Sequence, residues 1–320
     1  MAARTDFQHV GFMLTERFSM IAFTAALEPL RLANRAADRA LYEWRLHSRD
    51  GLSAEASNGV RVGVDASFRE AKRLDAVVAC AGVDVQADDH HELISTLRRL
   101  VKSGATAGAV CTGAYVLAKA RLLDGYRCTI HWENRAGLRA DFPDLDVGDD
   151  LFEIDRDRFT CAGGVAAADM MLSLIRRDHG DALARAVADQ LIHQRIRNAD
   201  EPQRPDLGQK AGVAHPKVQR VLELMGASID RPAGIDELAR SVALSPRQLE
   251  RLFIEHMAVS PTRHYATIRL EHARQLLQQT RMSILDVAIA SGFNSASYFS
   301  QSYLDRFGHS PRAERRTTAP

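Results

Sequence analysis

The last hundred residues carry one pattern twice, and this duplication limits the possible folds more than any other feature. Ile235-Asp-Glu-Leu-Ala-Arg-Ser-Val-Ala-Leu-Ser-Pro-Arg-Gln-Leu-Glu-Arg-Leu-Phe253 has a counterpart in Ile284-Leu-Asp-Val-Ala-Ile-Ala-Ser-Gly-Phe-Asn-Ser-Ala-Ser-Tyr-Phe-Ser-Gln-Ser-Tyr303. Ile235, Leu238, Ala239 and Leu244 match Ile284, Val287, Ala288 and Phe293, each 49 positions on. Past the turn the offset is 50, so Phe253 matches Tyr303 and Ser260-Pro261 matches Ser310-Pro311. Apolar residues at helical spacing predict helices on both sides of a turn. The small Ala243 or Gly292 at each turn suits two helices in close approach. Each half therefore predicts a helix-turn-helix, at about 235–256 and 284–307. Ser245-Pro246-Arg247-Gln248 supplies an N-cap serine, a proline at N1 and a glutamine at N3, which is a capping box. Between the units Thr262–Gln279 predicts one helix. At 1.5 Å per residue it is about 27 Å long, near the ~34 Å of a DNA turn. Such spacing serves any helical bundle, but two tandem copies joined by a bridging helix favour entry into successive major grooves.

Upstream the pattern is different. His9–Leu14, Trp44–Ser48, Ala76–Cys80, Thr106–Val110 and Arg127–Trp132 predict strands. Met20–Ala36, His90–Lys102, Ala114–Leu123, Ala166–Arg176 and Leu183–His193 predict helices. Alternation of this kind predicts an α/β unit, a flavodoxin-like parallel sheet sandwiched by helices, followed by an all-α domain. Three prolines and two glycines between Asn198 and Pro216 forbid a continuous helix. The expected division is a first domain at 1–196, a linker at 197–216 and a helical domain at 217–320.

The net charge of +1 conceals an asymmetry, about −4 over 1–209 and +5 over 210–320. A basic helical end is compatible with nucleic acid. No apolar run is long enough to span a membrane, and the N-terminus lacks the apolar core of a signal peptide. The four cysteines, at 80, 111, 128 and 161, show no CxxC spacing, so neither a disulfide framework, a metal site nor a cofactor is expected. The reading is cytoplasmic.

One stretch of the first domain invites chemistry. Gly108-Ala-Val-Cys-Thr-Gly-Ala-Tyr-Val-Leu-Ala-Lys-Ala120 predicts a buried strand, a corner at Cys111, then a helix. Such a corner lifts its residue above the sheet and aims the following N–H groups, of Thr112 and Gly113, at one spot. The helix N-terminus is expected to lower the thiol pKa and make Cys111 reactive. His131, in Thr129-Ile130-His131-Trp132-Glu133, is the candidate base, and Glu28 the candidate carboxylate. The same donors would bind a carboxylate without covalent chemistry. Trp132, with Tyr115 or Phe18, would face a cationic group, assisted by Glu28 or Glu133.

Residues 217–316 resemble the DNA-binding domain of the AraC family, whose signature appears in Gly292-Phe293, Tyr298-Phe299-Ser300 and Phe307-Gly308-His309-Ser310-Pro311-Arg312. The resemblance implies that Arg247, Gln248 and Arg251, and Ser295, Ala296, Ser297 and Gln301, read bases in promoter DNA. Arg251 suits bidentate recognition of guanine; at Gln301 members more often carry a basic residue. Lys217, Arg263, Arg306 and Arg312 are candidates for phosphate contact. Residues 8–195 resemble the PfpI-type, class I glutamine amidotransferase-like domain. Cys-Thr-Gly-Ala-Tyr-Val-Leu-Ala, Leu122-Leu123-Asp124-Gly125 and Thr129-Ile130-His131-Trp132 resemble the version fused to AraC-type domains. That resemblance implies a ligand sensor with no catalytic residue, in a one-component activator that would form a homodimer and contact RNA polymerase. Tyr126-Arg-Cys-Thr-Ile-His-Trp-Glu-Asn134 is similar to regulators of glycine betaine, carnitine or arginine catabolism, implying a small amine or quaternary ammonium acid as effector. The alternative is a cysteine-dependent amidase or hydrolase with an accessory DNA-binding domain.

Overall fold

The computed structural model describes residues 7–203, 215–280 and 282–317. The chain divides into two compact units after Gln203.

The first unit runs β1 (His9–Leu14), α1 (Met20–Ala37), β2 (Glu43–Ser48), β3 (Ser53–Glu55), β4 (Arg61–Gly63), β5 (Ala66–Ser67), β6 (Ala76–Ala81), α2 (His91–Lys102), β7 (Thr106–Cys111) and α3 (Gly113–Lys119). It continues with β8 (Arg127–Cys128), α4 (Arg135–Asp141), β9 (Asp146–Val147), β10 (Phe152–Asp155), β11 (Arg158–Cys161), α5 (Ala166–His179) and α6 (Asp181–Gln190). Seven strands form the main sheet in the order β10-β11-β7-β6-β1-β2-β5. All its pairs are parallel except β10 with β11. Central β6, Ala-Val-Val-Ala-Cys-Ala, is buried at every position, as a strand covered on both faces requires. One core lies under α1 and α5, with Phe12, Leu30 and Met171; the other lies under α2 and α3, with Leu97, Val116 and Leu117.

The alternation predicts this sheet but misplaces one strand. Arg127–Trp132 supplies only Arg127–Cys128, paired with Asp146–Val147 outside the main sheet. The next residue, Thr129, instead donates its backbone N–H to the Thr160 hydroxyl at 2.8 Å. The place beside β7 goes to β11, where Arg158 is buried with its guanidinium on the Leu122 carbonyl at 2.7 Å. The helix predicted to reach Leu123 stops at Lys119, and Arg121 takes a left-handed φ of 55°.

The second unit is helical: α7 (Pro216–Ala227), α8 (Ile235–Ser241), α9 (Pro246–Met257), α10 (Pro261–Gln279), α11 (Ile284–Ala290), α12 (Ala296–Phe307) and α13 (Pro311–Thr317). The predicted capping box is present. The Ser245 hydroxyl accepts from Gln248 N at 3.3 Å, and Gln248 Oε1 accepts from Ser245 N at 2.8 Å. Ala243 and Gly292 both turn with positive φ, 52° and 72°. At Gly292 a β-carbon would come within 2.4 Å of the Ile229 carbonyl oxygen, so the second turn needs glycine. Leu238, Leu249 and Phe253 are buried in the first repeat, and Val287, Phe299 and Tyr303 in the second.

The linker begins later than its composition suggests. Asp169, fully buried in α5, accepts from Arg197 N at 2.8 Å, from the Arg197 guanidinium at 2.6 and 2.9 Å, and pairs with His193 at 2.7 Å. A buried carboxylate needs such partners, so residues up to Gln203 stay with the first unit. The remainder, 204–214, lies outside the described residues. Among the described residues no helix is long and apolar enough to cross a membrane.

Candidate functional site

Cys111 ends β7 with φ of 57°, the left-handed corner that lifts a side chain above a parallel sheet. Three helix starts meet there. Ser19 caps α1, accepting from Ala22 N at 3.4 Å, and its hydroxyl also hydrogen-bonds the Cys111 sulfur. Thr112 begins α3 and gives its backbone N–H to that sulfur, while its hydroxyl donates to the Gly82 carbonyl at 2.7 Å. Gly163 precedes α5 with φ of 91°, and a β-carbon there would lie 2.7 Å from Cys111 Cβ. Only glycine leaves room for the corner.

The thiol does not behave as the corner alone predicts. Burial pushes it up to about 11, outweighing the Thr112 N–H and the Ser19 hydroxyl, and the nearby Glu133 charge adds to the rise. The expectation of a lowered pKa is corrected: at neutral pH the sulfur carries its proton and is a poor nucleophile.

Around the corner the predicted residues separate into two groups. His131 belongs to it, since its backbone N–H reaches the Cys111 carbonyl at 3.4 Å. The His131 ring lies 5.5 Å from Trp132, and its Nδ1 is 3.7 Å from Glu133. Glu28 does not belong. It sits nine residues beyond Ser19 on α1, about 13 Å along the axis, and pairs with Arg31 at 2.5 Å. Glu133 is the carboxylate whose charge the thiol feels. Phe18 is fully buried against Phe23, and the Tyr115 hydroxyl donates to Asp141 at 2.8 Å within the core under α3. Cys111 packs against the core that holds Phe18, and Trp132 stands beside the His131 ring.

The site also touches the end of the unit. Gln203 Nε2 donates to the Ile130 carbonyl at 3.0 Å, to the Thr129 hydroxyl at 2.9 Å and to the Asp150 carbonyl at 3.0 Å. Sequence reasoning missed this contact, because nothing local to a glutamine between prolines signals a partner 73 residues away. Among the described residues its Oε1 is buried without a hydrogen-bond partner.

In the second unit α9 exposes Arg247, Glu250, Arg251, Ile254 and Glu255 along one shallow groove. Gln248 is exposed as well, but its carbonyl oxygen is occupied by the capping box. On α12 Ser295 is the N-cap and accepts from Tyr298 N at 3.3 Å. Ala296 is half-buried, Ser297 is exposed, and Gln301 donates to Asp305 at 2.8 Å. Tyr298, 64% exposed beside them, is a surface aromatic that its place in the family signature had concealed. Arg263 and Arg312 are exposed, Lys217 reaches the Ala243 carbonyl at 3.4 Å, and Arg306 pairs with Glu271 at 3.1 Å. Exposed contacts of that kind are weak enough to exchange for phosphate. Among the described residues no group of His, Cys, Asp and Glu could hold a metal.

Known proteins match both units. Residues 8–177 match the DJ-1/PfpI family and residues 238–317 a helix-turn-helix domain. The HTH-type transcriptional regulator GbdR of Pseudomonas aeruginosa is 44% identical over 308 residues, covering 96% of this chain and 84% of that protein. The HTH-type transcriptional regulator GlxA of Rhizobium meliloti is 38% identical over 320 residues, covering 99% of each. A solved AraC family transcriptional regulator from Pseudomonas putida is 34% identical with a TM-score of 0.54, covering 57% of this chain and 99% of that one. With a duplicated helix-turn-helix behind a DJ-1-like sheet, the chain belongs to the AraC family of DNA-binding transcription regulators that carry an N-terminal DJ-1/PfpI domain.

Proposed function

We propose that the first unit is a sensor for a small zwitterionic amine and that its occupancy sets how the second unit engages a promoter. The observation that carries the reading is the left-handed Cys111 corner where the starts of α1, α3 and α5 converge, with Glu133 nearby. Helix starts favour an anion. A thiolate there would repel a carboxylate, whereas a protonated thiol accepts one as a neighbour. Trp132 and Glu133 suit the other end, a quaternary ammonium or amine, through ring-face attraction and charge. Glycine betaine, dimethylglycine, carnitine and arginine fit this chemistry and agree with the sequence resemblance.

A sensor must favour one state of the protein over another. Ile130, gripped by Gln203, is followed at once by His131 and Trp132. Movement of that segment on ligand binding would loosen or tighten the start of the linker. Residues up to Gln203 are then the sensor and 217–320 the DNA-binding domain. Activation through RNA polymerase, a homodimer and a cytoplasmic setting belong to the same proposal. A thermal-shift screen with the four compounds tests it. One of them should raise the melting temperature of the first unit's transition, and no shift with any of them would remove the support for this effector class.

A second reading, a cysteine hydrolase, draws on the left-handed corner and the adjacent His131. A thiol held near 11 argues against it. Release of ammonia from amide substrates, abolished by Cys111→Ala, would establish it.

A further inference from the structure

We infer that Ile254 and Leu304 read thymine, each presenting its aliphatic side chain to a C5-methyl group in the major groove. The inference rests on the reading that α9 and α12 enter that groove.

Ile254 is 52% exposed and Leu304 42% exposed, and they stand 50 positions apart, at the same place in the two repeats. Arg247, Arg251 and Ile254 are spaced i, i+4 and i+7, which puts them on one face of α9. They also line one groove. Ser297, Gln301 and Leu304 repeat that spacing on α12. An aliphatic group on a face that meets DNA needs a partner that does not want hydrogen bonds. Phosphates take charged or polar donors, and of the groups that bases project into the major groove only the thymine methyl is apolar.

Exposure alone would not carry the point. Leu285 and Ile289 on α11 are exposed too, but their equivalents 49 positions earlier are Asp236 and Arg240. Only the pair on the two second helices is apolar in both copies. Ile254 lies three residues past Arg251, about 4.5 Å along the helix, against a rise of about 3.4 Å per base pair. Its thymine therefore falls within about two base pairs of the base met by Arg251, and the same offset holds for Leu304 and Gln301.

The test uses the full chain. Duplexes are selected from a random pool, and each thymine of the best duplex is replaced in turn by deoxyuridine, which lacks only the methyl. One replacement in each half-site should weaken wild-type binding about fourfold, the worth of one buried methyl-sized group. Ile254→Ala should become indifferent to the replacement in its own half-site and stay sensitive in the other; Leu304→Ala should do the reverse. A wild type indifferent to every replacement, or variants that keep full sensitivity, would overturn the inference while leaving DNA reading intact. A pool that yields no preferred duplex would overturn the DNA-reading assignment, and the inference with it.

Discussion

Gln203 holds the carbonyl of Ile130 at 3.0 Å, one residue before His131 at the Cys111 corner. This single side chain joins the candidate effector site to the start of the linker. Gln203→Leu removes the amide N–H groups that reach Ile130, Thr129 and Asp150 and should uncouple the units without emptying the site. The variant should keep the ligand-induced thermal shift and lose most of the ligand-induced change in DNA affinity. An unaltered affinity change would show that the signal travels elsewhere.

Cys111 should be slow to alkylate. With its pKa pushed up to about 11, the thiolate fraction at neutral pH is about a hundredfold below that of an ordinary cysteine. Iodoacetamide labelling followed by peptide mass spectrometry would check this at pH 7.5. The stability sign follows as well: a folded pKa above the ordinary thiol value of 9.0 gives stabilisation complete below 9.0 and lost as pH rises toward about 11. Cys111→Ser should show a shallower loss over that window.

Arg251→Ala should weaken specific DNA binding by about 1–3 kcal/mol at fixed salt and relax the preference at one base pair. A variant that binds more weakly but keeps its full preference would assign Arg251 to phosphate.

Much of this architecture is legible in the residues, for identifiable reasons. The duplicated helix-turn-helix writes itself as a repeat with caps, and Ser245 and Gln248 meet as the spacing demands. The all-apolar β6 likewise announces a strand covered on both faces. What failed depended on distance. Arg127–Trp132 has strand composition, yet its backbone donates to the Thr160 hydroxyl and accepts from Gln203. Nothing in a sequence says which turn of a helix reaches a corner, and Glu28 pairs with Arg31 instead. The helix dipole is visible in a sequence and burial is not, so the sequence points to a lowered thiol pKa where burial raises it.

Acid should loosen the second unit first around Glu314. Burial by itself would raise this carboxyl, but hydrogen bonds from His309, Tyr303, Gln278 and Arg274 outweigh it and hold it down at about 2. A depressed folded pKa stabilises above the ordinary value of 4.5 and is lost as pH falls toward 2. Glu314→Gln should cost about 3 kcal/mol at pH 7, with the gap to wild type closing between pH 4.5 and 2 in denaturant titrations. A gap that is independent of pH would assign Glu314 a packing role only.

The most direct measurement is the affinity of the full chain for its selected duplex, by fluorescence anisotropy at one salt concentration, with and without a saturating compound from the thermal-shift screen. Wild type should change its dissociation constant by about fivefold or more. Cys111→Leu, which fills the corner, should bind the duplex as ligand-free wild type does and ignore the compound. A compound that shifts the melting temperature yet leaves DNA affinity unchanged, or one that still acts on Cys111→Leu, would contradict a sensor centred on Cys111.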